Sequence, residues 1–186
     1  MKMKWKILSE KSLLKIHPWF DVSKQSIELP DGRQIHDYYQ LNQPSYVEIA
    51  VLNKKNELLV FNSYKHGVRG ETLGFPGGYI DKKENAKEAA VRELHEECAI
   101  TAASWTDLGS YVIDGNRSTA RVYMFLAEDL SKIEQIESDD LEEFTSSWID
   151  VGTLRRYNNN LLFKTLGAAA LAEKVLGKII MKYGEN

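Results

Sequence analysis

The sequence predicts an α+β protein: a mixed β-sheet sandwiched between helices, α/β/α, with an antiparallel β extension ahead of it. Three observations carry this. Short runs rich in apolar and β-branched residues recur along most of the chain. One strongly helical stretch, 85–98, follows a glycine-rich elbow. An Ala- and Leu-rich stretch, 161–183, closes the chain, and its lysines and glutamate mark it as an amphipathic helix lying on a core. The 186 residues suit one domain with an appendage, divided here into a β-rich segment at 1–45 and a main domain at 46–186.

Taken in order, the first strands come from the segment before residue 45. QSIEL, PDG and RQIHDYYQL read as a hairpin with Pro30-Asp31-Gly32 at its turn. VEIAVL (47–52) and ELLVFNSY (57–64) are two further strands joined by the turn NKKN. The elbow GFPGGYIDKKE (74–84) precedes a helix from about Asn85 to Cys98, where Asn85 and Glu88 have capping-box spacing. WTDLGSYVI (105–113), ARVYMFLA (120–127) and SSWIDV are the remaining strands, the last preceded by the acidic run 134–143.

Composition narrows the function. A net charge of −3 argues against a nucleic-acid-coating surface. No stretch is apolar enough to cross a membrane, and the first sixteen residues lack the apolar core and cleavage site of a secretion signal. One cysteine, Cys98, permits no internal disulfide. These features point to the cytoplasm.

The helix holds the chemistry. RELHEEC places Arg92, Glu93, Glu96 and Glu97 within seven residues. Stepping by about 100° per residue, Ala86, Ala90, Val91, Leu94 and Cys98 form an apolar stripe, and the three glutamates lie along its edge. Arg92 is within reach of Glu88 and Glu96. Carboxylates so crowded repel unless protons or a cation relieve them. An all-oxygen set suits Mg²⁺ or Mn²⁺ and not zinc, since His95 points elsewhere and Cys98 sits in apolar context. The glycines of the elbow let backbone approach such a centre closely.

GGYIDKKENAKEAAVRELHEECAI resembles the Nudix box, G-x5-E-x7-R-E-U-x-E-E-x-G-U with U apolar. Gly78, Glu84, Arg92, Glu93, Leu94, Glu96, Glu97 and Ile100 match it, and Ala99 stands where glycine is usual. The departure bears on the helix exit, where a left-handed residue is expected, and not on the chemistry. The resemblance implies the Nudix α/β/α sandwich and metal-dependent hydrolysis of a diphosphate linked to another moiety. By position it makes Glu93 and Glu97 the main metal ligands, with Glu96 and the Gly77 carbonyl beside them. Arg92 would orient a glutamate, and Glu84 would brace the loop.

Further segments resemble the ADP-ribose pyrophosphatase branch: the strand VEIAVL, the elbow before the box, FLAEDL (125–130) and the N-terminal strands, which are similar to that branch's dimerising sheet. This implies ADP-ribose, cleaved to AMP and ribose 5-phosphate, and a homodimer. SDDLEEF (138–144) resembles the branch's loop that carries a base outside the box, so Asp140 and Glu142 are implied catalytic residues, with Glu143 next. Lys65, Arg69 and Arg121 are the candidate contacts to phosphate or ribose. Departures weaken the choice of substrate: Lys65 replaces an arginine, Gly74 a glutamate, and Gly115 and Asn116 occupy a position where proline is usual. Other Nudix substrates (a GDP-sugar, a dinucleotide, an oxidised nucleotide) and a non-catalytic ligand sensor are the alternatives. The intact glutamates disfavour the sensor.

Overall fold

The computed structural model describes residues 4–134, 143–150 and 163–177. Two compact units emerge: Met1–Ser45 with Tyr111–Arg121, and Tyr46–Ser110 with Val122–Asn186.

In the first unit, β1 (Lys6–Ile16), β2 (Phe20–Glu28) and β3 (Gln34–Asn42) form one antiparallel sheet in the order β1-β2-β3. The expected Pro30-Asp31-Gly32 turn joins β2 to β3. Leu29 O accepts from Gly32 N at 3.0 Å, and Gly32 takes the positive φ of 85° that closes the turn. The strands are longer than the short runs expected, because period-2 alternation persists through the serines and glutamines of β2. Ser23 and Gln25 are buried there, bonded to Glu10 at 2.7 and 2.9 Å. The segment 111–121 lies along β3, with Leu41 N donating to Arg117 O and Thr119 N to Leu41 O.

The second unit is the sandwich. β4 (Tyr46–Val51), β8 (Arg121–Lys132) and β7 (Ile100–Val112) form one sheet in the order β4-β8-β7, with β4 parallel to β8. The strands β6 (Gly70–Gly74), β5 (Glu57–Lys65) and β9 (Phe144–Asp150) form the other, antiparallel throughout. Strand alternation splits the core between two helices. Val47, Ile49, Val51, Phe61 and Phe125 pack with Ala89, Ala90 and Leu94 of α1 (Ala86–Cys98). Ala50, Leu52, Val60, Met124 and Leu126 pack with Ala168, Ala169 and Ala172 of α2 (Phe163–Leu176). Strands covered on both faces read as near-continuous apolar runs, which is why VEIAVL and ELLVFNSY were legible. No described helix is long and apolar enough to cross a membrane.

Candidate active site

The elbow and α1 are placed by β4. Its edge donates Val47 N to Gly78 O and Ile49 N to Pro76 O, both at 2.9 Å. The loop thereby runs along β4 like a short extra strand. Alternation leaves Gly77 facing the other way, and its N–H donates to Glu97 Oε2 at 2.9 Å. Gly77 holds φ at 152°, and a Cβ there would stand 2.2 Å from the Val47 carbonyl oxygen, so no other residue fits. A Cβ on Gly78 would lie 2.3 Å from Glu93 Oε1. The loop backbone is thus pressed against both glutamates that the Nudix resemblance makes principal.

α1 begins as its spacing predicts. The Asn85 side chain accepts from Lys87 N and Glu88 N, and Glu88 returns a bond to Asn85 N, completing the capping box. The helix ends at Ala99, whose φ of 52° and ψ of 41° are left-handed. Ala99 therefore adopts the strained geometry that glycine accepts more cheaply. The apolar stripe is rotated slightly from expectation: Ala89 is buried, whereas Val91 is exposed at 44%. The cause is that Glu93, only 9% exposed, turns in toward the elbow.

Arg92 is the hub. Its Nε donates to Glu84 Oε2 at 3.1 Å, and Nη2 to Glu84 Oε1 at 2.7 Å and to the Tyr79 carbonyl at 3.0 Å. Its Nη1 donates to Glu93 Oε1 at 2.8 Å and Glu96 Oε2 at 2.9 Å. Every N–H of the guanidinium fork is used. Glu88, the other carboxylate within sequence reach, is taken by the cap. The like charges of Glu84, Glu93 and Glu96 are therefore shared by an arginine, a cation within reach of Glu96 in the sequence. Bonding to Arg92 holds the Glu84 carboxyl below the usual range, and the same bond raises the arginine further. Burial pushes the Cys98 thiol up, and the nearby Glu97 and Glu93 charges add to it, so Cys98 is no thiolate ligand.

The donor chemistry fits a hard divalent cation. Glu93, Glu96 and Glu97 offer carboxylate oxygens on one side of α1. The carbonyls flanking Gly77 are spent on β4, and no hydrogen bond among the described residues engages the Gly77 carbonyl. Among the described residues, no three His, Cys, Asp or Glu form a group that could hold an ion.

The other candidate residues belong to other elements or fall outside the described residues. Lys65, half-buried, ends β5 opposite Gly70. That is about 13 Å along the strand from Phe61, which pairs with Gly74 at the start of the elbow. Arg69 is exposed in the turn after it, with φ 52°. Arg121 opens β8 and belongs to the first unit, where its N–H meets Ser45 Oγ at 3.1 Å. Asp140 and Glu142 fall outside the described residues; Glu143 is exposed immediately before β9. Two features escaped the sequence. The Tyr79 carbonyl has no residue signature, and the β4 edge that templates the elbow is invisible in an apolar run.

Comparison with known proteins agrees with this geometry. The NUDIX domain model matches residues 42–166. An ADP-ribose pyrophosphatase from Bacillus subtilis (strain 168) is 25% identical over 143 residues, 75% of this chain and 77% of that one. The ADP compounds hydrolase NudE of Escherichia coli (strain K12) is 28% identical over 120 residues, 63% and 64% of the two chains. A crystal structure described as an ADP compounds hydrolase superposes with a TM-score of 0.79 at 23% identity, covering 94% of this chain and 95% of that one, a likeness that shows the fold. With the box assembled around Arg92 and the family model spanning most of the second unit, the chain belongs to the Nudix family and is a Nudix pyrophosphohydrolase.

Proposed function

We propose that the enzyme hydrolyses ADP-ribose to AMP and ribose 5-phosphate with Mg²⁺ as its resident cation, Mn²⁺ serving as a substitute. The observation that carries this is the Arg92 hub, which gathers Glu84, Glu93 and Glu96 beside the loop whose Gly77 amide holds Glu97. The names of the B. subtilis and E. coli relatives supply the substrate class.

Gly77 O, Glu93, Glu96 and Glu97 would hold the cation. When bound, it offsets the charge of the diphosphate and acidifies a water. The chain's own residues do the rest. Arg92 holds Glu93 and Glu96 in place. The Gly77 amide orients one oxygen of Glu97. The acidic run supplies the base that takes the water's proton, with Asp140 and Glu142 first and Glu143 next. Lys65, Arg69 and Arg121 bind the anionic substrate, Lys65 as a point charge without arginine's fork.

The protein acts as a homodimer in a reducing, cytoplasmic setting. Supporting the dimer, every residue of β1 is exposed, among them the apolar Ile7 (56%), Leu8, Leu13 (49%), Leu14 (49%) and Ile16. The test is a hydrolysis panel of ADP-ribose, GDP-mannose, diadenosine polyphosphates and 8-oxo-dGTP, run with Mg²⁺, with EDTA, and with Glu97→Gln. Metal-dependent release of AMP from ADP-ribose, lost in the variant, is the expected result. Turnover of another member alone would replace the substrate, and tight binding without turnover of anything would replace the enzyme by a sensor.

A further inference from the structure

Lys87 is the second residue of α1, and its side chain turns inward. Its Nζ sits 3.3 Å from the Trp105 ring centroid and 5.6 Å from that of Phe125. The two rings meet at 81° with centroids 6.3 Å apart, so they form two walls of a corner. Nζ is enclosed there, and among the described residues nothing accepts a hydrogen bond from it. Trp105 spends its own N–H on the Ala102 carbonyl at 3.1 Å.

Opposing forces act on this amine. The ring faces attract a cation. They also displace the water that would satisfy three N–H donors, and the positive end of the helix dipole lies close by. Desolvation prevails, and the pKa falls to about 8. The carboxylates nearest in sequence or on the facing strands are engaged elsewhere. Glu84 is bound to Arg92, Glu88 to Asn85 N at 2.8 Å, and Asp107 of β7 to Gly109 N at 2.7 Å. On the β8 face that carries Phe125, alternation places Arg121, Tyr123 and Asp129 as the charged or titratable groups.

We propose that Lys87 and the Trp105–Phe125 corner form a proton-operated latch at the root of the helix that carries the site glutamates. The neutral amine rests in the corner. On taking a proton from solvent, the ammonium swings its flexible four-carbon stem to water and the corner opens. Lys87 lies six residues before Glu93, about 9 Å along the helix axis, so the latch grips the carboxylate helix without touching the reacting groups.

Trp105 emission, followed in the full chain between about pH 6 and pH 10, reports the corner directly. A single transition near pH 8, red-shifted on the acid side, is expected. It should vanish in Lys87→Met and in Lys87→Arg, neither of which titrates in this range. It should also vanish in Trp105→Phe, which keeps the signals of Trp5, Trp19 and Trp148. Flat wild-type emission, or the same transition surviving in Lys87→Met or Trp105→Phe, would overturn the latch.

Discussion

Arg92 ties together three of the four box glutamates, Glu84, Glu93 and Glu96, while the Gly77 amide holds Glu97. Arg92 cannot be replaced by lysine, which offers a compact charge and no planar fork. We expect Arg92→Lys to lose about 2 kcal/mol of stability, read from denaturant midpoints, because Glu84 and the nearly buried Glu93 lose directed donors. The Glu84 contribution has a definite pH sense. Its folded pKa lies below the unfolded value, so the stability is present above about pH 4.3 and is lost as pH falls through the folded value. The Tm gap between wild type and Glu84→Gln should therefore close below about pH 4. Neighbouring glycines separate two effects. Gly78→Ala should lower turnover about 100-fold, since the new methyl meets the Glu93 carboxylate and must displace it. Gly77→Ala should unfold the elbow itself, since it meets the β4 backbone.

At the scale of elements, the two helices are specified differently. α1 has a capping box at one end, a left-handed residue at the other, and a clear apolar stripe. Ala99→Gly should raise stability by about 1 kcal/mol in a melt, because glycine adopts that φ without a Cβ penalty. α2 meets the core through Ala168, Ala169 and Ala172, and packing of such small side chains alone defines its rotation weakly. A polar key does so: Thr165 Oγ1 donates to Glu48 Oε1 at 2.7 Å, both residues fully buried. Thr165→Val should cost about 1–3 kcal/mol, measured by denaturant unfolding. This contrast explains what was legible beforehand. The cap of Asn85, the exit at Ala99 and the carboxylate edge of α1 follow from local spacing, and the apolar runs of β4 and β5 follow from burial on both faces. Strand β6, beginning and ending in glycine, carries no propensity signal and is made only by pairing with β5. The inward Lys87 was hidden for a similar reason, since the rings that hold it come from β7 and β8.

For the whole molecule, the pH at which it is handled matters through Lys87. The folded state binds that proton less tightly than the unfolded chain, about 8 against 10.5, so this group's share of stability rises with pH between those values and is lowest below 8. Lys87→Met should melt higher than wild type at neutral pH, with the advantage gone above about pH 10.5. Association state is the second global property. Trp5, Ile7, Leu8, Leu13, Leu14, Ile16 and Trp19 are all exposed in the first unit. Sedimentation should give twice the chain mass, and Leu14→Glu should shift it toward the single chain.

The bonds from Val47 and Ile49 to the elbow have a further consequence. β4 ends one side of its sheet, and a bare strand edge made of VEIAV would be a template for pairing with other molecules. The loop that delivers Gly77 to Glu97 also occupies that edge. The apparatus for hydrolysis thus doubles as a guard on solubility, and variants that dislodge the elbow should come out of solution as well as lose turnover.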